Sequence, residues 1–155
     1  MVKKLHLVAI SQTFFDLCCF DKELLNNYNQ GRPYLIILKL KYKNKMIDFA
    51  LPLRFNISKT VKKENYFKLP NNKKTKIGNH HGIHFEKMFP IKNEYKIKFR
   101  KDEFLEKIIV PFILLHFKEL VEQAQEYLNR YENGIRTDYS TDIEEILKKL
   151  DIEIE

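Results

Sequence analysis

Residues 34–53, YLIILKLKYKNKMIDFALPL, contain two apolar runs rich in β-branched and aromatic residues, separated by the polar residues 43–45. Two such runs around a short polar turn are typical of an antiparallel β-hairpin. Their continuous apolar centre indicates a strand that lies deep within a sheet. We therefore predict a hairpin of residues 34–42 and 46–53 at the centre of the fold.

The strand pattern continues on both sides of this hairpin. Residues 4–10, KLHLVAI, alternate between polar and apolar side chains, and residues 83–91 and 94–99 also have the composition of strands. The basic stretch between them is predicted to hold one short ordered piece at 65–69 and a loop at 70–82. Together these segments predict a twisted antiparallel sheet.

Helical patterns flank the sheet in the sequence. Residues 15–27 mix polar and apolar side chains as a short helix does, and residues 102–131 repeat apolar side chains at helical spacing. We expect Pro111 to kink the second segment or to split it into two helices. A last helix is predicted after Thr141, which forms a capping-box pattern with Glu144. The predicted fold class is α+β, with helices packed on the sheet.

A chain of 155 residues is expected to form one domain, with a sheet-rich part at 1–99 and a helical part at 100–155. No apolar run approaches the roughly 20 residues that span a bilayer. The N-terminal apolar run is too short and too polar for a signal peptide, so the expected location is the cytoplasm. Cys18 and Cys19 are adjacent, which disfavours a disulfide between them, and we expect both to be reduced.

The charges divide between the two parts of the chain. Residues 1–99 carry 20 Lys and Arg against 7 Asp and Glu, a net charge of +13, whereas residues 100–155 carry a net charge of −6. Such asymmetry indicates one face built for a polyanion. The acidic cluster Asp142, Glu144 and Glu145 is expected to be solvated.

Candidate catalytic residues lie at two junctions beside the hairpin. RNA is cleaved without a metal when its own 2′-OH attacks the adjacent phosphate, provided that cations stabilise the phosphorane charge and a side chain moves protons. Because the first strand begins near residue 33 and the second ends near residue 53, the flanking loops fall at the same end of the sheet. The candidates in these loops are Tyr28, Arg32, Arg54, Asn56, Ser58 and Lys59.

A lysine-rich segment follows these candidates, and its density of positive charge favours contact with phosphates. The aromatic pair Tyr66 and Phe67 is suited to stacking on bases, and equally to anchoring the segment to the core. The lysines alone are also compatible with a solvated face, and Ser58 with the cap of a following turn. The predicted RNA-binding residues are Lys62, Lys63, Tyr66, Lys68, Lys73, Lys74, Lys76, His80, His81 and His84.

The three histidines have two interpretations besides RNA contact. Their HHxxxH spacing provides imidazoles for a metal, but no cysteine or carboxylate stands at a typical ligand spacing, so no metal site and no cofactor are predicted. An acid or base role is favoured instead, since an imidazole titrates near neutral pH. The direction in which His84 faces on its strand decides between a cleft and the core.

The order of these features resembles the ToxN/AbiQ family, the ribonuclease toxins of type III toxin–antitoxin and abortive-infection systems, and in particular its CptN-like branch. The resemblance rests on Tyr28 and Arg32 ahead of YLIILKL, the strand DFALPL, the Ser58-Lys59 pair and KMFPI at 87–91. It covers roughly residues 1–130. One departure is Arg54, which stands directly after Pro-Leu where better-known members have a hydroxyl residue.

The resemblance implies a fold similar to the MazF/Kid-like toxins and a metal-independent endoribonuclease. It implies cleavage of adenine-rich RNA to 2′,3′-cyclic phosphate and 5′-OH ends. The implied partner is a small repeat-derived antitoxin RNA, a pseudoknot that the toxin processes and that joins toxins into a closed assembly. Tyr28, Arg32, Ser58 and Lys59 match the catalytic tyrosine, basic residue, hydroxyl and lysine of the family. The alternative function is a non-catalytic RNA- or DNA-binding module, which explains the charge asymmetry equally well.

Overall fold

The computed structural model of the chain describes residues 7–24, 35–71, 75–98 and 105–153. The strands are β1 (Leu7–Ile10), β2 (Leu35–Tyr42), β3 (Lys45–Ile57), β4 (Tyr66–Leu69), β5 (His80–His84), β6 (Phe89–Pro90) and β7 (Lys96–Lys98). The helices are α1 (Gln12–Leu17), α2 (Val110–Leu115), α3 (Phe117–Glu132) and α4 (Ile143–Lys149), with a π-helical turn at Leu105–Ile109 before α2.

The described strands form one antiparallel sheet in the order β4-β5-β3-β2-β1-β7, with β6 also paired to β3. The predicted hairpin is confirmed, since β2 and β3 pair from Leu35↔Pro52 to Tyr42↔Lys45. Its turn is one residue shorter than predicted because Lys45 already pairs with Tyr42. Lys43 and Asn44 both have positive φ, 46° and 66°, as a type I′ turn requires.

Both faces of the sheet are covered, which explains the continuous apolar runs of the hairpin. Alternate β3 side chains, Ile47, Phe49 and Leu51, are buried on the face that packs against α2 and α3. On the other face Ala50 packs with Phe14 of α1 and with Phe89, whose ring stacks on Phe14 at 4.9 Å. Burying each large apolar side chain contributes about 1.5–3 kcal/mol, so these two layers hold the helices on the sheet.

The α+β fold class is confirmed, but several boundaries differ from the sequence predictions. The first helix covers residues 12–17 of the described chain, not 15–27. Strand β3 continues past Leu53 to Ile57, and β5 begins at His80, within the predicted loop 70–82. These strands are longer because residues 53–57 and 80–83 pair with each other, a long-range contact that local composition does not indicate.

The helical third also differs at two points. Pro111 lies at the start of α2, directly after the π-helical turn, and the helical segment divides at His116 instead. The last helix is capped by Asp142, whose Oδ1 accepts a hydrogen bond from the Glu145 amide at 3.2 Å. Thr141, predicted as the cap, is buried and donates its hydroxyl to the Met88 carbonyl.

Glu144 corrects the expectation of a solvated acidic cluster. Its carboxylate accepts a hydrogen bond from the Tyr42 hydroxyl at 3.0 Å and pairs with Lys43 Nζ at 2.9 Å. The Arg136 guanidinium lies 3.4 Å from the same oxygen. Because Tyr42 and Lys43 belong to the hairpin, Glu144 fastens α4 to its turn.

Cys18 is buried and Cys19 is exposed, and both are free thiols. Burial raises the pKa of the Cys18 thiol to about 11, so it remains protonated and serves as a packing residue. None of the helices within the described ranges is both long and apolar enough to cross a membrane.

The hairpin turn gives a test of the fold. A β-branched residue in the left-handed region costs about 1–2 kcal/mol, so Asn44→Val is expected to lower the free energy of unfolding by that amount. Asn44→Gly is the matched control, because glycine adopts a φ of 66° without strain. Urea denaturation of the three proteins measures the difference. Equal stability of the valine and glycine variants would contradict the assigned turn.

Candidate nucleic-acid site

A β-bulge shapes the end of β3. Arg54 pairs with Gly82 and Ile57 with His80, so two β3 residues stand opposite the single residue His81. One of them, Asn56, has a φ of 61°, a conformation that asparagine tolerates better than most residues. The bulge lies just before the end of β3, and bulges commonly occur beside functional sites. Arg54 and Asn56, predicted to lie in a loop, are therefore residues of a bulged strand.

His81 holds the bulge in place. Its Nδ1 accepts a hydrogen bond from the Asn56 amide at 3.2 Å, and its Nε2 lies 2.8 Å from the Thr75 hydroxyl. The Asn56 side chain in turn accepts a hydrogen bond from the Lys76 amide at 2.7 Å. Because Nδ1 is an acceptor, His81 is neutral, with its proton on Nε2. Burial lowers the pKa of His81, which agrees with this state.

Residues 58–61, here named the hydroxyl–lysine turn, follow the bulge directly. The Val61 amide donates to the Ser58 carbonyl at 3.0 Å, and the Thr60 amide donates to the Ser58 hydroxyl at 3.2 Å. The Ser58 and Thr60 hydroxyls lie 2.9 Å apart. Ser58, Lys59 and Thr60 are exposed. The turn thus presents two hydroxyls and an ammonium group to solvent.

Gly78 supports the Lys59 side chain from the neighbouring loop. A Cβ added to Gly78 would lie 3.2 Å from Lys59 Cδ, and Gly78 has a φ of 84°. A side chain at this position would therefore crowd the lysine stem and strain the backbone. The loop and the hydroxyl–lysine turn are in contact because a glycine stands here.

A hydrogen-bonded chain connects Arg54 to the helical part of the protein. Arg54 Nη1 lies 3.1 Å from His84 Nδ1, and His84 Nε2 lies 2.9 Å from Glu86 Oε1. Thr137 donates its hydroxyl to the other Glu86 oxygen. Since arginine only donates, His84 Nδ1 accepts, and the Nε2–H donates to the Glu86 carboxylate. These hydrogen bonds fix the direction in which the Arg54 guanidinium points.

The protonation states of His84 and Glu86 follow from their burial and their hydrogen bonds. Burial lowers the pKa of His84, and the adjacent Arg54 guanidinium acts in the same direction, so the imidazole is neutral. Burial acts to raise the pKa of Glu86, but hydrogen bonds from His84 and Thr137 outweigh it, and the pKa lies below its usual range. The result is a buried carboxylate facing a neutral histidine.

Two cavities flank the segment that follows the turn. The first, named the Thr60 cavity, has a volume of about 520 Å³ and lies between residues 60–65 and the α3–α4 connection; Lys62, Arg130, Arg136, Thr137 and Tyr139 are among its lining residues. The second, named the Tyr66 cavity, has a volume of about 490 Å³ and lies between β4 and helices α2 and α3. Lys62 and Lys63, neighbours in the chain, line different cavities.

The structure brings four predicted catalytic residues, Arg54, Asn56, Ser58 and Lys59, into one bulge and turn. Of the predicted RNA-binding lysines it places Lys62, Lys63, Lys68 and Lys76 on the surface. Four predicted site residues, Tyr28, Arg32, Lys73 and Lys74, lie outside the described residues.

The aromatic and histidine predictions divide. Phe67 and Tyr66 are both buried, 5% and 6% exposed, so both anchor the segment to the core. Tyr66 also stacks on His80 at a ring distance of 5.7 Å and lines the Tyr66 cavity. His81 and His84 are 0% and 2% exposed, which corrects their assignment to an RNA-binding surface. Their ring nitrogens are hydrogen-bonded inside the protein. Across the described ranges, no three His, Cys, Asp or Glu side chains converge as metal ligands.

Sequence reasoning missed Glu86, Thr137, and the helix residues His116 and Gln123 that line the Tyr66 cavity. Glu86 had a detectable signal, since it interrupts the apolar stretch 83–91 and so had to be buried with partners. His116 and Gln123 had no such signal in the sequence, because they become site residues only through packing beside β4 and β5.

Comparisons with known proteins identify the fold. AbiQ, a lactococcal anti-phage endoribonuclease of a type III toxin–antitoxin system, matches with a TM-score of 0.74 at 12% identity, over 97% of this chain and 98% of AbiQ. A structure from a bacterial antiviral system regulated by a processed non-coding RNA gives a TM-score of 0.71 at 17% identity, over 94% of this chain and 96% of the other.

A third structure, from work on bacterial type III toxins inhibited by a non-coding RNA pseudoknot, gives a TM-score of 0.56 at 15% identity, over 96% and 97% of the two chains. No protein-family model and no curated protein matches the sequence. The resemblance to the ToxN/AbiQ family, inferred from the sequence, is thus confirmed at the level of the fold.

The two buried histidines predict a pH dependence of stability. An unfolded histidine titrates near 6.5, whereas His81 and His84 have lowered pKa values in the folded chain. Below about pH 6.5 the unfolded state therefore binds more protons, and stability falls as the pH is lowered. Urea denaturation at constant ionic strength between about pH 7.5 and about pH 5.5 measures this slope.

The control uses His81→Gln and His84→Gln, each of which is expected to make the slope shallower. Glu86 contributes in the same direction, but only as the pH falls below the ordinary value of 4.5, so its effect lies outside the measured range. A stability that stays constant down to about pH 5.5 would show that these histidines are not held neutral.

Proposed function

We propose that the chain is an endoribonuclease toxin of a type III toxin–antitoxin system that acts in phage defence. The observation that carries the proposal is the hydroxyl–lysine turn, which exposes Ser58, Lys59 and Thr60 at the end of a clamped bulge. Its support is the fold shared over nearly the whole chain with AbiQ, an endoribonuclease.

The proposed reaction is attack of a ribose 2′-oxygen on the adjacent phosphorus. The P–O2′ bond forms as the P–O5′ bond breaks, the 2′-OH proton passes to a base, and a proton is delivered to O5′. The products carry a 2′,3′-cyclic phosphate and a 5′-OH. The nucleophile belongs to the RNA, and no metal is required.

The protein's contribution is to position the phosphate and stabilise its charge. Lys59, Arg54 and Arg32 supply positive charge for the phosphorane oxygens, and Ser58 orients the phosphate or the 2′-OH. Tyr28 and His80 are the proposed groups for proton transfer, since His81 and His84 use their ring nitrogens within the protein. His84 and Glu86 act on the reaction only through the direction that they give to Arg54.

The proposed substrate is adenine-rich RNA, and the proposed inhibitor is a repeat-derived pseudoknot RNA that the toxin processes and with which it forms a closed assembly. The exposed lysines of residues 59–76 are the proposed contact surface for both RNAs. Among the described residues, no Asp or Glu forms an ion pair with these lysines, so their charge is available to phosphates.

The proposed function is tested by incubating the purified protein with adenine-rich RNA in EDTA. Fragments with a cyclic phosphate and a 5′-OH are expected, and a 2′-deoxy nucleotide at the cleavage position is expected to prevent cleavage there. RNA that is retained by the protein but stays intact would overturn the enzyme and favour the non-catalytic binding module.

The hydroxyl–lysine turn predicts the effect of two substitutions. Ser58→Ala and Lys59→Ala are each expected to slow RNA cleavage by about 10²- to 10³-fold, the usual loss for one group that stabilises transition-state charge. Both variants are also expected to relieve growth inhibition in cells lacking the antitoxin. Lys148→Ala, an exposed lysine on α4, is the matched control. Full cleavage by both variants would show that the hydroxyl–lysine turn is not part of the active site.

The lysine surface predicts the salt dependence of RNA binding. Each phosphate contact to single-stranded RNA contributes about 0.7 to the slope of log K against log salt. Lys63→Ala and Lys68→Ala are each expected to reduce the slope by about that amount, whereas Lys148→Ala leaves it unchanged. Fluorescence anisotropy over a salt series measures it. Unaltered slopes in both variants would place the RNA elsewhere.

A further inference from the structure

The Tyr66 cavity has two aromatic walls. One wall is formed by Tyr66 of β4 and His80 of β5, whose rings are nearly parallel, with an interplanar angle of 20°. The other comes from the helices, where the rings of Phe112 and His116 lie 4.5 Å apart. Phe67 joins the walls, since its ring is 6.3 Å from that of Phe112. A volume of about 490 Å³ between flat rings suits a flat aromatic ligand.

Polar groups stand at the helical side of this cavity. His116 Nδ1 lies 3.4 Å from Glu119 Oε2, and Gln123 Nε2 lies 3.5 Å from Glu119 Oε1. His116 directly precedes α3, and Glu119 and Gln123 lie on consecutive turns of that helix, so the three side chains present donors and acceptors along one side of the cavity. The Glu119 carboxylate accepts hydrogen bonds only, which favours a ligand with amino donors.

The cavity mouth is positively charged. Lys63 and Lys68 line it, and both side chains are exposed. Lys63 belongs to the same exposed lysine-rich segment as Lys59 of the hydroxyl–lysine turn. Stacking rings beside lysines are the combination by which proteins hold single-stranded nucleic acid.

We propose that the Tyr66 cavity binds one unstacked base of the RNA, a base that bears an exocyclic amino group. Phe112 and His116, both half-buried, pack against the base, and Glu119 and Gln123 hydrogen-bond its edge. Tyr66, stacked on His80, lines the cavity, and Lys63 and Lys68 contact the flanking phosphates. This subsite rests on the proposed function, because it takes RNA as its ligand. It adds His116, Glu119 and Gln123 to the residues that contact RNA.

The test uses an adenine-rich oligonucleotide made wholly of 2′-deoxy nucleotides, which lacks the attacking hydroxyl, with a single 2-aminopurine moved along it. The chain contains no tryptophan, so its own fluorescence does not obscure that of 2-aminopurine. At one position of the probe, binding to the wild-type protein is expected to change the fluorescence as the base enters the cavity.

The variants are His116→Ala with Gln123→Ala, and Gln123→Ala alone in case the double variant fails to fold. The double variant is expected to abolish the position-specific change and to weaken binding by about 5- to 100-fold, as loss of a stacked base does. Gln12→Ala, an exposed glutamine of α1, is the matched control and is expected to bind as the wild type does.

The outcomes separate this subsite from the proposed function. If the wild-type protein cleaves adenine-rich RNA but the variants keep both the fluorescence change and the affinity, the subsite is overturned and the enzyme stands. If the wild-type protein neither binds the probe nor cleaves the RNA, both are overturned. A uridine-rich probe that binds as tightly as the adenine-rich one would overturn the preference for an amino group.

Discussion

The buried carboxylate of Glu86 is the constraint on which the arrangement of the molecule depends. A carboxylate that is 4% exposed must have hydrogen-bond donors, and it receives them from His84 on the sheet side and Thr137 on the helical side. The backbone carbonyl of Glu86 also accepts a hydrogen bond from the Thr141 amide at 3.0 Å. The next residue, Lys87, extends this connection to the Tyr139 carbonyl at 2.8 Å. A single turn after β5 thus determines how the α3–α4 connection lies on the sheet.

This constraint reaches the candidate site through Arg54. The histidine that pairs with Glu86 is also the acceptor for Arg54, so the position of the guanidinium depends on the same buried carboxylate. His81 holds the bulge at Asn56 in the same manner. Both imidazoles serve as neutral hydrogen-bonding groups that fix backbone and cation. Groups fixed before substrate binds cost no reorganisation during a reaction, which is the requirement for stabilising a developing phosphate charge.

The sequence was sufficient for what depends on local pattern. The hairpin and the helical third follow from period and turn chemistry, and the placement of Arg54 and Ser58 at one end of the sheet follows from the hairpin. At 65–69, where β4 lies, the sequence predicted only a short ordered piece. The burial of His81 and His84 was not predictable, because the sequence of β5 does not reveal the bulge in β3 against which they lie. The role of Glu144 was not predictable either, because its partners Tyr42 and Lys43 are about a hundred residues away in the sequence.

The division of charge along the sequence gains a physical meaning from these contacts. Part of the acidic charge of the helical half is neutralised within the protein, where Glu144 pairs with Lys43 and Arg136. The lysines that follow β3 have no such partners among the described residues. Lys59 lies in the hydroxyl–lysine turn, and Lys63 and Lys68 line the Tyr66 cavity. Positive charge that is exposed and unpaired costs stability through self-repulsion, and a bound polyanion relieves that cost. In the proposed function, this exposed positive surface contacts the phosphate backbone of the RNA, and the bulge positions the hydroxyls that meet it.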